Sequence, residues 1–178
     1  MKVQKVVTVT AGHSNTDSGA VNGKIHEQVI ATDARNIVAW YLQDAGITVR
    51  MDGFGKDNRP LREAVKLVKG SDIAVELHCN AAVNPKAKGV EVLANPRHKG
   101  LAQRISQAIA GVIGTPVRGD KGYKPENSGQ HSRLAYVQAG GLVVEMFFIT
   151  NQEELDAWDN KKWLVCKAIA NVLIEELK

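Results

Sequence analysis

The stretch from Val3 to Gly46, VQKVVTVTAGHSNTDSGAVNGKIHEQVIATDARNIVAWYLQDAG, changes its hydrophobic period once, and that change decides the fold class. Val3 to Thr10 is a strand-length run rich in valine and threonine, side chains that suit a pleated surface. From Ile25 to Ala45 the apolar positions Ile25, Val29, Ile30, Ile37, Val38, Tyr41 and Leu42 recur at helical spacing, and Gly46 supplies a C-terminal stop. The same alternation continues outward. Strands are expected over Ile47 to Arg50, Ile73 to His78, Gly89 to Leu93 and Leu142 to Phe147. Helices are expected from Pro60 to Lys69, from Leu101 to Val112, in a short segment opened by a capping pair at Asn151 and Glu154, and from Lys161 to Leu177. Between them, Gly111 to Gln130 carries five glycines and two prolines and reads as a long surface loop. The pattern predicts an α/β domain with a mostly parallel central sheet flanked by helices on both faces.

At 178 residues, with 44% hydrophobic and 24% charged residues, the chain has the size and composition of one domain with an ordinary core. The expectation is a single domain over residues 1–178. No apolar run approaches the roughly 20 residues that span a bilayer, and the first residues lack the basic-then-apolar pattern of an export signal. No integral membrane association is expected. Cys79 and Cys166 lack CxxC spacing, which argues against a disulfide framework or a thiolate metal site. The net charge of +4 suits a polyanionic surface. Its lysines and arginines are spread along the chain, and 5% aromatic content offers few stacking platforms, so no nucleic-acid partner is expected.

Three predicted strands run into an ionisable residue: VVTVTAGH places His13 just past the first, IAVELH ends in His78, and LVVEMF carries Glu145. The carboxyl ends of strands in an open α/β sheet form the edge where ligands bind, so these separate segments can converge there. Glu27, near the start of the long helix, can reach the same edge. Two imidazoles and a carboxylate form a donor set that zinc accepts while keeping a position open for water, and a further carboxylate can serve as base. The intervals of 14, 51 and 67 residues are not a compact metal motif, so spacing alone is weak support. A buried carboxylate in an apolar strand is costly without a purpose, and a catalytic role accounts for Glu145.

The segments AGHSNTDSGAVNGKIHE, SDIAVELHCNA, KGVEV and VVEMFFITNQEEL occur in the order found in zinc-dependent N-acetylmuramoyl-L-alanine amidases, which the chain resembles over nearly its whole length. The resemblance implies one Zn²⁺ ion held by His13, Glu27 and His78, with Glu145 as catalytic acid/base. It also implies peptidoglycan as substrate, cut at the amide between N-acetylmuramic acid and L-alanine. Two other readings stand beside it: a zinc peptidase cutting a stem-peptide bond, and a non-catalytic wall-binding module. Without an export signal or room for a separate wall-binding domain, the chain resembles a phage endolysin. Such an enzyme accumulates in the cytoplasm of the producing cell and acts on the wall after release.

The sequence departs from the family pattern in three places. Thr10-Ala11 stands where Asp-Pro is usual, Phe147 where glycine is usual, and Glu76 where a small residue precedes the second histidine. By period-two alternation Glu76 shares a face with His78, as an orienting partner of the imidazole or as a surface acid. Asn80 either hydrogen-bonds substrate or shapes a turn. His26 and His131 read as solvated, His98 as structural and Cys79 as a small packing residue, while Glu91 matches a family position.

Overall fold

The computed structural model of the protein describes residues 4–128 and 133–178. In chain order the elements are β1 (Val6–Ala11), β2 (Val21–Asn22), β3 (Ile25–His26), α1 (Glu27–Asp44), β4 (Thr48–Met51), α2 (Leu61–Val68), β5 (Ile73–Asn80) and β6 (Glu91–Leu93). A 3₁₀ turn at Pro96–His98 leads into α3 (Lys99–Ile113), followed by β7 (Tyr123–Lys124), α4 (Ala135–Gln138), β8 (Leu142–Phe148) and α5 (Gln152–Glu176). The result is a single α/β domain with a six-stranded sheet in the order β4-β1-β5-β8-β6-β7. Every pairing in that sheet is parallel except β6 against β8.

The chain leaves β1 through α1 to reach β4, then crosses back through α2 to β5 on the other side of β1. Right-handed crossovers in opposite directions put their helices on opposite faces of the sheet. Side-chain alternation confirms this. Val7, Val9, Val75, Leu77, Val144 and Met146 point into the larger core, which α1, α3 and α5 cover. Ala74, Leu93 and Val143 point the other way, against Ala64 and Val68 of α2 and Tyr136 and Val137 of α4. Winding reverses at β1, and a crevice opens at the carboxyl ends of neighbouring strands where that happens. His13 follows β1 and His78 lies near the end of β5.

Several elements differ from the sequence reading for identifiable reasons. Ile25 and His26, expected as the first helical residues, belong instead to a hairpin with Val21 and Asn22. Gly23 takes a positive φ of 61° in its turn, and α1 starts at Glu27. The two expected C-terminal helices are one 25-residue helix, because Leu155, Trp158, Val165, Ile169 and Leu173 form one continuous buried stripe across the polar middle. Asn151 caps this helix by accepting from the Glu154 backbone N–H at 3.1 Å. The Glu154 carboxylate does not complete the reciprocal bond; it accepts from the Phe148 and Gly89 N–H groups at 2.7 and 2.8 Å. The long glycine-rich stretch contains β7, which adds an edge strand beside β6. Val3 at the start of the expected opening strand, Gly129 and Gln130 at the end of that loop, and His131 lie outside the described residues. Among the described residues, no helix is long and apolar enough to cross a membrane.

Candidate metal centre

Backbone contacts fix the turn after β1 before any side chain is considered. The Gly12 N–H donates to the Leu77 carbonyl at 2.8 Å, and the Gly12 carbonyl accepts from the Asn58 side-chain amide at 2.9 Å. Ala11, at a proline position in the resembled pattern, keeps an N–H that proline lacks and donates it to the Asp52 carboxylate, 3.3 Å from each oxygen. Asp52 is fully enclosed with Arg35, 3.1 Å away; burial pushes its carboxyl up, and Arg35 opposes the shift. His13 then adopts a φ of 66°, uncommon for a residue with a side chain and held here by the pinned backbone around it.

This turn brings His13 to Glu27 at the first residue of α1, and β5 brings His78 to the same carboxylate. His13 Nε2 lies 2.9 Å from Glu27 Oε2, and His78 Nδ1 lies 3.0 Å from Glu27 Oε1. The Glu27 oxygens also accept from the Ala20 and Cys79 N–H groups, both at 2.9 Å. Candidate ligand atoms of His13, Glu27 and His78 all fall within 4.8 Å of one another. The outer imidazole nitrogens have acidic partners too: His13 Nδ1 is 3.0 Å from Asp17, and His78 Nε2 is 3.1 Å from Glu76. Two glycines make room. A Cβ on Gly12 would sit 2.2 Å from the His78 ring, and one on Gly19 would sit 2.5 Å from that of His13.

The electrostatics follow from this packing. Burial alone would raise the Glu27 carboxyl, but hydrogen bonds from the two imidazoles outweigh it and hold Glu27 well below the usual carboxylate range. Burial would lower His78, yet Glu27, Glu76 and the more distant charge of Glu145 raise it well above an ordinary histidine. His13 is raised by Glu27 against the opposing effect of burial. The Glu27 carboxylate is thus held anionic between the two imidazoles, and its negative charge favours a cation at that point. A zinc ion fits that donor set: imidazole nitrogens and a carboxylate oxygen are its ordinary ligands, and their outer partners leave His13 Nε2 and His78 Nδ1 facing inward.

Glu145 pairs in register with His78 and lies on the same sheet face, 6% exposed, in the lining of the same cavity. That cavity has a volume of about 560 Å³ and is walled on its other side by Pro60, Leu61, Leu134 and Tyr136. The four residues expected to carry the chemistry are thus brought together. Asn80 also lines the cavity, but its amide donates to Glu91 at 3.1 Å and its carbonyl oxygen accepts from Ala81 N–H, the arrangement of a turn-shaping residue. Glu91 is buried and binds Arg118 and Lys124 at 2.6 and 2.8 Å, tying the glycine-rich segment to the sheet. His26 is exposed, and Cys79 packs into the larger core. Phe147, at the unusual glycine position, turns away from the cavity and stacks on Trp158 at 5.5 Å. Sequence reading missed Asp17, which stands one helical turn's spacing after His13, and Asp52, which no local motif marks.

The match to known proteins runs the length of this arrangement. AmiA of Escherichia coli (strain K12), an N-acetylmuramoyl-L-alanine amidase, is 32% identical over 95 residues, 51% of this chain and 32% of AmiA, so the match spans about a third of that relative. The crystal structure of a provisionally named N-acetylmuramoyl-L-alanine amidase from Neisseria meningitidis superposes with a TM-score of 0.91 at 53% identity, covering 97% of this chain and 96% of that one. The catalytic domain of CwlV, an N-acetylmuramoyl-L-alanine amidase from Bacillus (Paenibacillus) polymyxa var. colistinus, shares the fold with a TM-score of 0.83 at 22% identity, over 98% of both chains. With the Amidase_3 family pattern matched across residues 7–175, this chain belongs to the N-acetylmuramoyl-L-alanine amidase family.

Proposed function

We propose that the protein is a peptidoglycan hydrolase that cleaves the amide between N-acetylmuramic acid and L-alanine with the aid of one zinc ion. The observation that carries this reading is the convergence of His13 and His78 on Glu27, at 2.9 and 3.0 Å, with Glu145 on the same face beside His78. Zinc held by these three residues would supply a water of lowered pKa and a Lewis acid for the scissile carbonyl. Glu145 takes up the proton released as the water oxygen bonds to that carbonyl carbon. It then delivers the proton to the L-alanine nitrogen as the carbon–nitrogen bond breaks, because an amide nitrogen leaves poorly as an anion. The pocket walls from α2 and α4 orient the substrate and limit water around the carboxylate.

Mass spectrometry of peptidoglycan digests tests both bond and metal. Free stem peptides beginning at L-alanine are expected, lost with a chelator and restored by zinc. New amino termini inside the stem would instead identify a peptidase, and intact wall under every condition would leave a binding module.

The same proposal places the protein as an endolysin-type enzyme that gathers in the cytoplasm of the producing cell and reaches the wall after release. The net charge of +4 suits retention on an anionic wall. Cells producing it should stay intact until their membrane is permeabilised and then lyse; lysis at the same rate without permeabilisation would reject that setting.

A further inference from the structure

Each imidazole of the centre is held between two carboxylates, giving the order Asp17–His13–Glu27–His78–Glu76. The two ends differ. The Asp17 side chain is 63% exposed, whereas that of Glu76 is 4% exposed, in the lining of the cavity. A carboxylate buried in that way is costly unless it is hydrogen-bonded, and its partner here is His78, two residues along the same strand face.

We infer that Glu76 is a positioning residue for the metal centre, accepting the Nε2 hydrogen of His78 and so turning Nδ1 toward Glu27 and His13. This inference rests on the metal-centre reading above. A carboxylate only accepts, so Glu76 at 3.1 Å holds a hydrogen on Nε2, and a cation bound at the centre would take the place of the hydrogen that Nδ1 directs at Glu27, 3.0 Å away. The His78 ring also packs against the bare backbone of Gly12, where a Cβ would stand 2.2 Å from its nearest atom, so the imidazole is confined between Gly12, Glu27 and Glu76. The position carries a small residue in the resembled pattern, which makes this an arrangement of the present chain. Outer carboxylates of this kind commonly change metal affinity by about 10–100-fold.

Zinc affinity, measured by competition with a chromophoric chelator, should fall by about 10–100-fold in Glu76→Ala. Glu76→Gln, whose carbonyl oxygen still accepts from Nε2–H, should recover most of that loss. Asp17→Ala should lose less than Glu76→Ala, because water replaces an exposed partner. An NMR resonance from His78 Nε2–H, protected from exchange in the wild type and in Glu76→Gln, should vanish in Glu76→Ala. Unchanged zinc affinity with unchanged protection in Glu76→Ala would overturn the assignment. If Glu76→Ala does not fold, loss of the protected resonance in Glu76→Gln would overturn it as well. Failure of the wild type to bind zinc would defeat the metal-centre reading, and the Nε2–H resonance would then decide for or against the Glu76 contact alone.

Discussion

The two faces of β5 do different work with the same backbone. Ile73, Val75, Leu77 and Cys79 enter the larger core beneath α1, α3 and α5. Ala74, Glu76 and His78 face the opposite side, where the smaller core of α2 and α4 stops short and the cavity begins. The adjacent strands repeat the division: Val144 and Met146 against Glu145 in β8, Val7 and Val9 against Thr8 and Thr10 in β1. A sheet covered fully on one face and partly on the other can bind the ligand residues to a rigid strand without giving up the core behind them. Stability and chemistry should therefore respond to different substitutions only one residue apart.

The largest separation is expected at the chemical face. Glu145→Ala should lower hydrolysis of peptidoglycan by about 10²–10⁴-fold, the usual worth of a general acid/base, while leaving zinc binding in place. His78→Ala should abolish zinc binding itself. Amidase turnover and metal content, measured on the same folded preparations, check the pair; full activity in either variant would remove that residue from the mechanism. On the other face, Leu77→Ala should cost about 2–5 kcal/mol of folding stability through lost burial and the cavity left behind. Leu77 is fully enclosed one residue before His78. Urea unfolding measures the loss, and zinc content of the folded fraction should be unchanged. A large loss of zinc in folded Leu77→Ala would show that the two faces are coupled.

Much of this division was legible in the sequence because strand alternation is a property of adjacent residues. IAVELH announces both faces at once, and LVVEMF does the same around Glu145. The family resemblance then joined segments that spacing alone could not. What escaped was decided at longer range or by competition between local signals. The direction of β6, three residues long, is set by its antiparallel fit against β8 rather than by anything within it. The hairpin ahead of α1 had a signal in Asn22-Gly23, but the apolar period of the following helix masked it. Asp52 reaches the Ala11 N–H at the end of β1 only through the parallel alignment of β4 with β1, where Val9 stands opposite Met51. The role of Glu76 needed its depth: sequence placed it on the face of His78, and burial distinguishes a partner from a surface acid.

The smallest effect is expected where the two faces meet, at the junction of β8 and α5. Asn151 caps the helix through Glu154 N–H, and its amide donates to the carbonyls of Pro85 and Ala87 at 3.1 and 3.2 Å. Ile149 N–H donates to the Asn80 carbonyl at 2.8 Å, which connects this junction to the end of β5. Asn151→Ala should cost about 0.5–2 kcal/mol, the range for a lost N-cap, seen as a lower urea midpoint at an unchanged slope. Because none of these bonds reaches His13, Glu27 or His78, zinc affinity and turnover per folded molecule should stay at the wild-type level. A fall in turnover per folded molecule approaching that of Glu145→Ala would mean that the junction sets the geometry of the catalytic face. The separation drawn along β5 would then end at Asn80.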